Sequence, residues 1–435
     1  MSTCTTCLLL SLPLPFLPSS LPSSLPPFLL SSHLLSSLLL IRPSSPIMSA
    51  SSPTVNQREQ YKDQLPSDPK ALDNRFPLYL GDWKKSDPRV DDDLAMDDMD
   101  EPHMKRKLAI LKKHPEIEKL YGHDSRTTLV TIAAAAAQVY FAYLFGRVWT
   151  DTIWGFLVFA YAVGGSITAL YGVLIHEATH NHAAPTVFLN KLVGLTANIG
   201  IPVPIYASFR RYHLEHHTYQ GVTGMDPDLP LEWEKKMIRG NAALKLLWLF
   251  IYPLMYVVRG AAMQKTPSTW EIYNIIFTVC SDALVVRFCG WRGLLYLFVS
   301  LWFGYGLHPG AAHFIQEHYT FDDGQETYSY YGILNKPYMN IGLHMEHHDF
   351  TKVAWSRLPE VRAMAPEFYD SMAYHTSWLL VHWKFITEPG YGPQSRLGRS
   401  MEDHKAARKQ VGKLRRADEH AYEEMALDVQ KEKDE

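Results

Sequence analysis

The chain reads as an all-α integral membrane protein in which two transmembrane helical hairpins carry a cytosolic helical cap. Three observations predict this. Apolar residues gather into discrete segments between polar ends, a contrast hidden by the mean hydropathy of −0.14. Eight of the 20 histidines fall into three short boxes that follow or flank those segments. Aromatic residues make up 12% of the chain, with 11 Trp, as interfacial belts require. A length of 435 residues allows two or three soluble domains, but the apolar patches exceed what soluble cores would need.

Taken in order, residues 1–47 are a Leu/Ser/Pro leader with no Lys or Arg before Arg42. Prolines at Pro13, Pro15, Pro18 and Pro22 break any long helix, and the positive start of a secretory signal is missing. The leader is expected to be disordered, transit-like or an over-long start with Met48 as initiator. Residues 48–122 form a polar cytosolic arm with the acidic run Asp91-Asp92-Asp93 and a helical stretch from Met104 to Tyr121. The membrane domain occupies 123–400. Its first spans are Thr128 to Leu144 and Ile153 to Ile175, each close to the ~20 residues that a ~30 Å hydrocarbon layer needs. Residues 244–258 are apolar but short and broken by Pro253, which suits a re-entrant or interfacial segment as well as a span. Ile272 to Val286 and Gly293 to Leu307 make the second hairpin.

The turn between the first two spans carries one basic residue, Arg147, whereas the flanking segments carry Lys105, Lys107, Lys112, Lys113, Arg210 and Arg211. By the positive-inside rule, the flanks and all three boxes lie on the cytosolic side. Residues 401–435 are a charged cytosolic tail ending Lys431-Glu432-Lys433-Asp434-Glu435, in the K-x-K-x-x pattern of endoplasmic reticulum retrieval signals. Net charge of −3 and a pI near 6.7 leave no basic footprint for nucleic acid. Cys4, Cys7, Cys280 and Cys289 assemble neither a disulfide nor a thiolate metal framework.

The boxes are His176-Glu177-Ala178-Thr179-His180, His213-Leu214-Glu215-His216-His217 and His344-Met345-Glu346-His347-His348. On a helix, a spacing of i, i+3, i+4 places side chains on one face, so each box is expected to aim its imidazoles at one point. Imidazole selects a transition metal over Mg or Ca. Eight ligands exceed what one tetrahedral ion takes, which argues for two ions and completes the fold class as a cap holding a histidine-ligated di-iron site. Glu215 and Glu346 are candidate carboxylates for fixing the ligand tautomers, equally readable as solvated helix acids.

This pattern resembles the membrane fatty-acyl and sphingolipid desaturases. The sequence Asp100-Glu101-Pro102-His103, His114-Pro115-Glu116-Ile117, Phe209-Arg210-Arg211-Tyr212-His213, His313-Phe314-Ile315-Gln316-Glu317-His318-Tyr319, Glu326-Thr327-Tyr328-Ser329-Tyr330-Tyr331-Gly332 and Asn340-Ile341-Gly342-Leu343 is similar to sphingolipid Δ4-desaturases over roughly residues 98–400. Thr351 departs from the Pro common in the family after the third box, and Met48-Ser49 from its Met-Gly start.

The resemblance implies that His176, His180, His213, His216, His217, His344, His347 and His348 bind two Fe ions. It also implies a ninth ligand, expected at His313, with His308 and His318 as competitors, and no catalytic residue beyond the ligands. O2 is the implied co-substrate, and a trans C4–C5 double bond in dihydroceramide the product. The chain has no G-x-G-x-x-G fingerprint, so electrons are expected from separate proteins, cytochrome b5 and its NADH-dependent reductase. The implied location is the endoplasmic reticulum membrane with both termini cytosolic. Asp226-Pro227-Asp228 and Tyr328, Tyr330 and Tyr331 are candidate contacts for lipid amide and hydroxyl groups, or equally a polar loop and interfacial aromatics.

Other readings remain open at this level. A C4-hydroxylase or bifunctional enzyme would use the same ligands. His176-Glu177-Ala178-Thr179-His180 also fits H-E-x-x-H of a membrane zinc metalloprotease, which leaves six box histidines idle. A metal transporter would place ligands near the bilayer midplane, and here the boxes follow polar residues. His308-Pro309-Gly310-Ala311 is like a haem-binding turn but leaves no room for a haem domain.

Overall fold

The computed structural model describes Leu80, residues 83–87, Ala95–Met96 and residues 102–414. The leader, Met48, the acidic run and Lys431 to Glu435 lie outside the described residues. Helix α1 (His103–Lys113) stops at His114 and a short 3-10 turn, Pro115–Leu120, follows. The single helix expected from Met104 to Tyr121 is therefore divided. Pro115 explains the break: the residue before a proline is pushed out of the helical region, and His114 has φ −128° and ψ 63°.

Among the described residues, three helices are long and apolar enough to cross a membrane, or four if one bent pair counts as a span. Helix α2 (Arg126–Val148) is built on the alanine run 133–137, the best helix former there is. Helix α3 (Ile153–Thr179) starts where Thr152 Oγ1 accepts from the Gly155 N–H at 3.0 Å and ends on the first histidine box. Helix α4 (Val187–Ala197) and α5 (Tyr206–Tyr219) follow. Helices α6 (Ala242–Phe250) and α7 (Tyr252–Ala262) meet at a 77° bend with Pro253 in the first turn of α7. That is the interruption expected of residues 244–258.

Helix α8 (Thr269–Gly304) begins with a capping box between Ser268 and Glu271, and it is two helices joined across Gly290. A straight 36-residue helix would be ~54 Å long, far beyond a ~30 Å layer. At Gly290 the backbone has φ 77° and ψ 170°, a conformation that only glycine adopts without strain. Around it, Arg147 Nε donates to the Phe288 carbonyl at 3.2 Å, and Arg292 donates to the carbonyls of Phe145 and Thr152 at 3.1 Å each. The Phe145 ring stacks on Tyr296 at 5.2 Å. Near its start, Glu271 meets Arg211 beside the second box, and Asn274 accepts from the Ala207 N–H at 2.9 Å. At its other end Gly304 lies against Thr168 and Gly165. Gly290→Ala is expected to lower stability by about 1–3 kcal/mol, measured as a fall in the unfolding midpoint of the detergent-solubilised chain.

Large apolar side chains are left exposed along these helices, among them Leu129, Ile132, Trp154, Val158, Val279 and Trp291. Large exposed apolar side chains on helices long enough to span are lipid-facing surface, and the chain is a membrane protein. Above it, the core of α3, α4 and α5 (Tyr171, Leu174, Ile175, Tyr206) continues into Tyr330, Ile341 and Trp378. Here sit α9 (His344–Asp349), α10 (Trp378–Thr387) and two short parallel pairings, Ala95–Met96 with Leu397–Gly398 and Ser329–Tyr330 with Tyr374–His375. Helix α11 (Met401–Leu414) closes the described chain.

Candidate metal centre

The three boxes and one further histidine come together in two adjoining groups. His176, His180, His213, His217 and His347 present ring nitrogens within 4.8 Å of one another, and His216, His318 and His348 do the same. His344 joins the second group, its Nε2 2.9 Å from that of His318. In the first group, the Nε2 pairs His176–His347, His180–His213, His213–His217 and His217–His347 are 3.0–3.2 Å apart. His216 and His318 Nε2 are 3.0 Å apart.

The boxes do not each aim at one point, as the spacing alone suggests. Successive helical residues are about 100° apart, so the adjacent pair His216-His217 diverges. His217 stays with His213 on the i, i+4 face, and His216 turns to the second group. The third box divides in the mirrored way, with His344 and His348 in the second group and His347 in the first. Box one gives both histidines to the first group. The doubled histidine is thus what lets one short helix serve two centres.

His313, the expected ninth member, is in neither group. Its Nδ1 is 2.6 Å from Glu317 Oε1, its ring lies on Phe314, and no described residue partners its Nε2. His318 takes the expected place, five residues later. His308 is also elsewhere, with Nδ1 accepting from the Gly310 N–H and Nε2 3.4 Å from Ser166 Oγ.

The donor set fits metal ions. A neutral imidazole has one N–H, so five Nε2 atoms this close cannot satisfy one another, and a shared cation would satisfy the lone pairs that converge there. Two nitrogens each ~2.1 Å from one ion would be separated by about the observed spacing. Burial, reinforced by neighbouring rings, holds His180, His213, His217, His318, His344, His347 and His348 well below the ordinary imidazole pKa, which keeps their lone pairs available. His216 goes the other way: burial lowers its pKa, but the charges of Asp226 and Asp228 outweigh burial and raise it.

Carboxylates stand near the outer nitrogens of three rings, within hydrogen-bond distance at His216. Asp226 Oδ1 is 3.0 Å from His216 Nδ1, Glu317 Oε1 is 3.7 Å from His344 Nδ1, and Glu177 Oε1 is 3.5 Å from His176 Nδ1. The two acids named for this task from the repeated boxes do something else. Glu215 pairs with Lys265, and Glu346 accepts from Ser329 Oγ and Tyr331 Oη. Glu215 and Glu346 point away from the histidine face of their own boxes, so Asp226 and Glu317 come from other segments, while Glu177 lies beside a ring of its own box.

One buried network was not foreseen. Arg106 grips Asp349 through Nε–Oδ2 at 2.7 Å and Nη2–Oδ1 at 2.8 Å, and His103 Nδ1 lies 2.7 Å from Oδ1. The His103 ring packs on His348 at 4.8 Å, so α1 braces the third box. Its only sequence trace is the quoted Pro102-His103 motif. The tyrosine run is also scaffold: Tyr328 Oη accepts from the N–H groups of Phe321 and Asp322, Tyr330 stacks on Trp378 at 4.5 Å, and Tyr331 holds Glu346.

Glu177 is 2% exposed, accepts from the Trp355 N–H at 3.1 Å, and lies 3.4 Å from His182 Nδ1. It sits at the Nδ1 side of His176, away from the converging Nε2 atoms, where a protease base could not activate metal-bound water. A cavity of about 650 Å³ does reach the histidines. It runs from His176, His213, His216, His318 and His344 along Ile175, Phe209, Leu301 and Tyr305 to the α6–α7 elbow. Its walls are mostly apolar, as a lipid chain needs.

Two family descriptions match the chain: "Fatty acid desaturase" over residues 151–378 and "Sphingolipid Delta4-desaturase" over residues 96–126. A sphingolipid delta(4)-desaturase of Drosophila melanogaster is 42% identical over 306 residues, covering 69% of this chain and 93% of the relative. A sphingolipid delta(4)-desaturase of Homo sapiens is 37% identical, covering 70% and 94%. A human sphingolipid delta(4)-desaturase/C4-monooxygenase is 38% identical, covering 69% and 93%.

Proposed function

The chain belongs to the sphingolipid Δ4-desaturase family, an oxidoreductase family of membrane proteins, and on that premise we propose that it converts dihydroceramide to ceramide by introducing a trans C4–C5 double bond. The observation that carries the reading is the pair of histidine groups at the end of an apolar cavity. We assign His176, His180, His213, His217 and His347 to one iron and His216, His318, His344 and His348 to the other, with His313 replaced by His318.

When bound, the two irons supply the activation of O2 that removal of hydrogen from an unactivated C–H demands and that no side chain can provide. The protein's part is positioning. Asp226, Glu177 and Glu317 hold His216, His176 and His344 with Nε2 turned inward. Ile175, Phe209 and Tyr305 keep the chain extended and water out beside the rings. Reducing equivalents are assigned to separate proteins, cytochrome b5 and its NADH-dependent reductase.

We read α2 with α3, and the two halves of α8 across Gly290, as two membrane hairpins. Contacts support this: residues beside Gly290 meet the α2–α3 turn, while Glu271 meets Arg211 beside the second box and Tyr305 lies against Gly172, one turn before the first box. The histidine cap and both termini are then cytosolic, in the endoplasmic reticulum membrane. The domain limits are kept at 1–47, 48–122, 123–400 and 401–435.

A 4-hydroxylated product is the second reading, favoured by the human relative named for both activities. Lipid mass spectrometry of dihydroceramide-fed membranes expressing residues 48–435, beside His347→Ala, tests both. Δ4-unsaturated product absent from the His347→Ala control is expected. Product that is mainly 4-hydroxylated would move the assignment to hydroxylase, and neither product from iron-loaded protein would overturn the substrate.

A further inference from the structure

The cavity walls are mostly apolar, but polar side chains also face it, and beside the second histidine group three of them are not consumed by the metal chemistry. Arg396 is 5% exposed and lines the cavity. Among the described residues its guanidinium meets only Asp226, at a long 3.6 Å, and the Tyr319 ring, 5.6 Å away. A buried guanidinium with five N–H donors and no close hydrogen bond is costly. Opposite in charge, Asp228 keeps 27% of its side chain open. Its Oδ1 accepts from Tyr256 Oη at 3.3 Å, and Oδ2 has only His216 Nδ1, 3.7 Å away.

We propose that Arg396, Asp228 and Tyr256 form the subsite for the polar head of the lipid, on the reading above that the substrate is an N-acylated sphingoid base. Arg396 donates to the amide carbonyl or a hydroxyl oxygen, and Asp228 accepts from a hydroxyl or the amide N–H. The chemistry needed is a ligand that offers donor and acceptor together. A plain acyl chain has neither, and a fatty ester has only acceptors. A cation at His216, Asp226 and Asp228 is opposed by the adjacent Arg396 charge, which leaves the uncharged polar head as the complement.

Placement agrees with the reaction. One imidazole, His216, separates Asp228 from the Nε2 cluster, as a few carbons separate the hydroxyl and amide positions of a sphingoid base from C4 and C5. Arg396 also lies beyond residue 378, where the match to fatty acid desaturases in general ends. The residue that reads the head is thus contributed by chain outside the shared part.

Equilibrium binding of radiolabelled N-octanoylsphinganine and of methyl octadecanoate to the iron-loaded full chain in detergent tests this. Arg396→Gln is expected to reduce the ratio of the two affinities about tenfold or more, and Tyr256→Phe by a smaller factor, with methyl octadecanoate binding and iron content unchanged. An unchanged ratio in both variants, or equal loss for both probes, would overturn the subsite. Desaturation is scored in the same wild-type preparation. No Δ4 product with an intact binding preference would sink the proposed reaction and leave the subsite standing.

Discussion

His318→Ala is expected to lose iron and turnover together, whereas His313→Ala keeps its metal and loses about ten- to a hundredfold in turnover. His318 Nε2 lies 3.0 Å from that of His216 and 2.9 Å from that of His344, so its removal strips one corner from the second group. His313 lies outside that group, beside Glu317, which stands 2.6 Å from His313 Nδ1 and 3.7 Å from His344 Nδ1. Losing the outer partner of a ligand typically costs ten- to a hundredfold. Iron per chain, measured by elemental analysis beside product by mass spectrometry, separates the two roles. Full iron in His318→Ala with metal loss in His313→Ala would reverse the assignment.

The second large effect falls on stability. Asp349→Ala is expected to destabilise the protein by about 3–5 kcal/mol, because it removes the carboxylate that the buried Arg106 guanidinium holds through two hydrogen bonds. Arg106 and Asp349 side chains are 1% and 0% exposed. Asp349 also anchors His103 against His348, so the substitution should detach α1 from the third box. The sign follows from burial: an exposed pair of this kind would contribute about 1 kcal/mol or less. Limited proteolysis within residues 103–122, together with the unfolding midpoint, reads both consequences. An Asp349→Ala protein with an unchanged midpoint and a protected N-terminal segment would show that the pair is not what holds α1 in place.

Both predictions turn on residues far apart in the chain, and this marks the limit of reading along it. The apolar runs at 128–144 and 153–175 were legible because a membrane imposes a length and a composition on each segment separately. The histidine boxes were legible for a similar reason: a helix repeats locally, so i, i+3, i+4 is visible in five letters. The break at Gly290 was foreseen only as the gap between the spans 272–286 and 293–307, since one glycine in an apolar stretch carries no signal of its φ. His313, His308 and His318 lie within eleven residues of one another on a segment with little regular periodicity. Nothing local ranks them, and it is packing that brings His318, not His313, against the second group.

By itself, then, the sequence determined the helical membrane class, the eight box histidines and the family, because each depends on spacing within one segment or on motifs kept whole. Only the tertiary structure decided how those histidines divide. The split of His216 from His217, and of His347 from His348, needs two centres on either side of one short helix, and that arrangement exists only when α3, α5 and α9 meet. The supporting acids Asp226 and Glu317, the Arg106–Asp349 brace and the open face of Arg396 were decided in the same way. A buried charge is stable only beside its partner, and the partner's position is set by packing between segments, not by the order of residues within them.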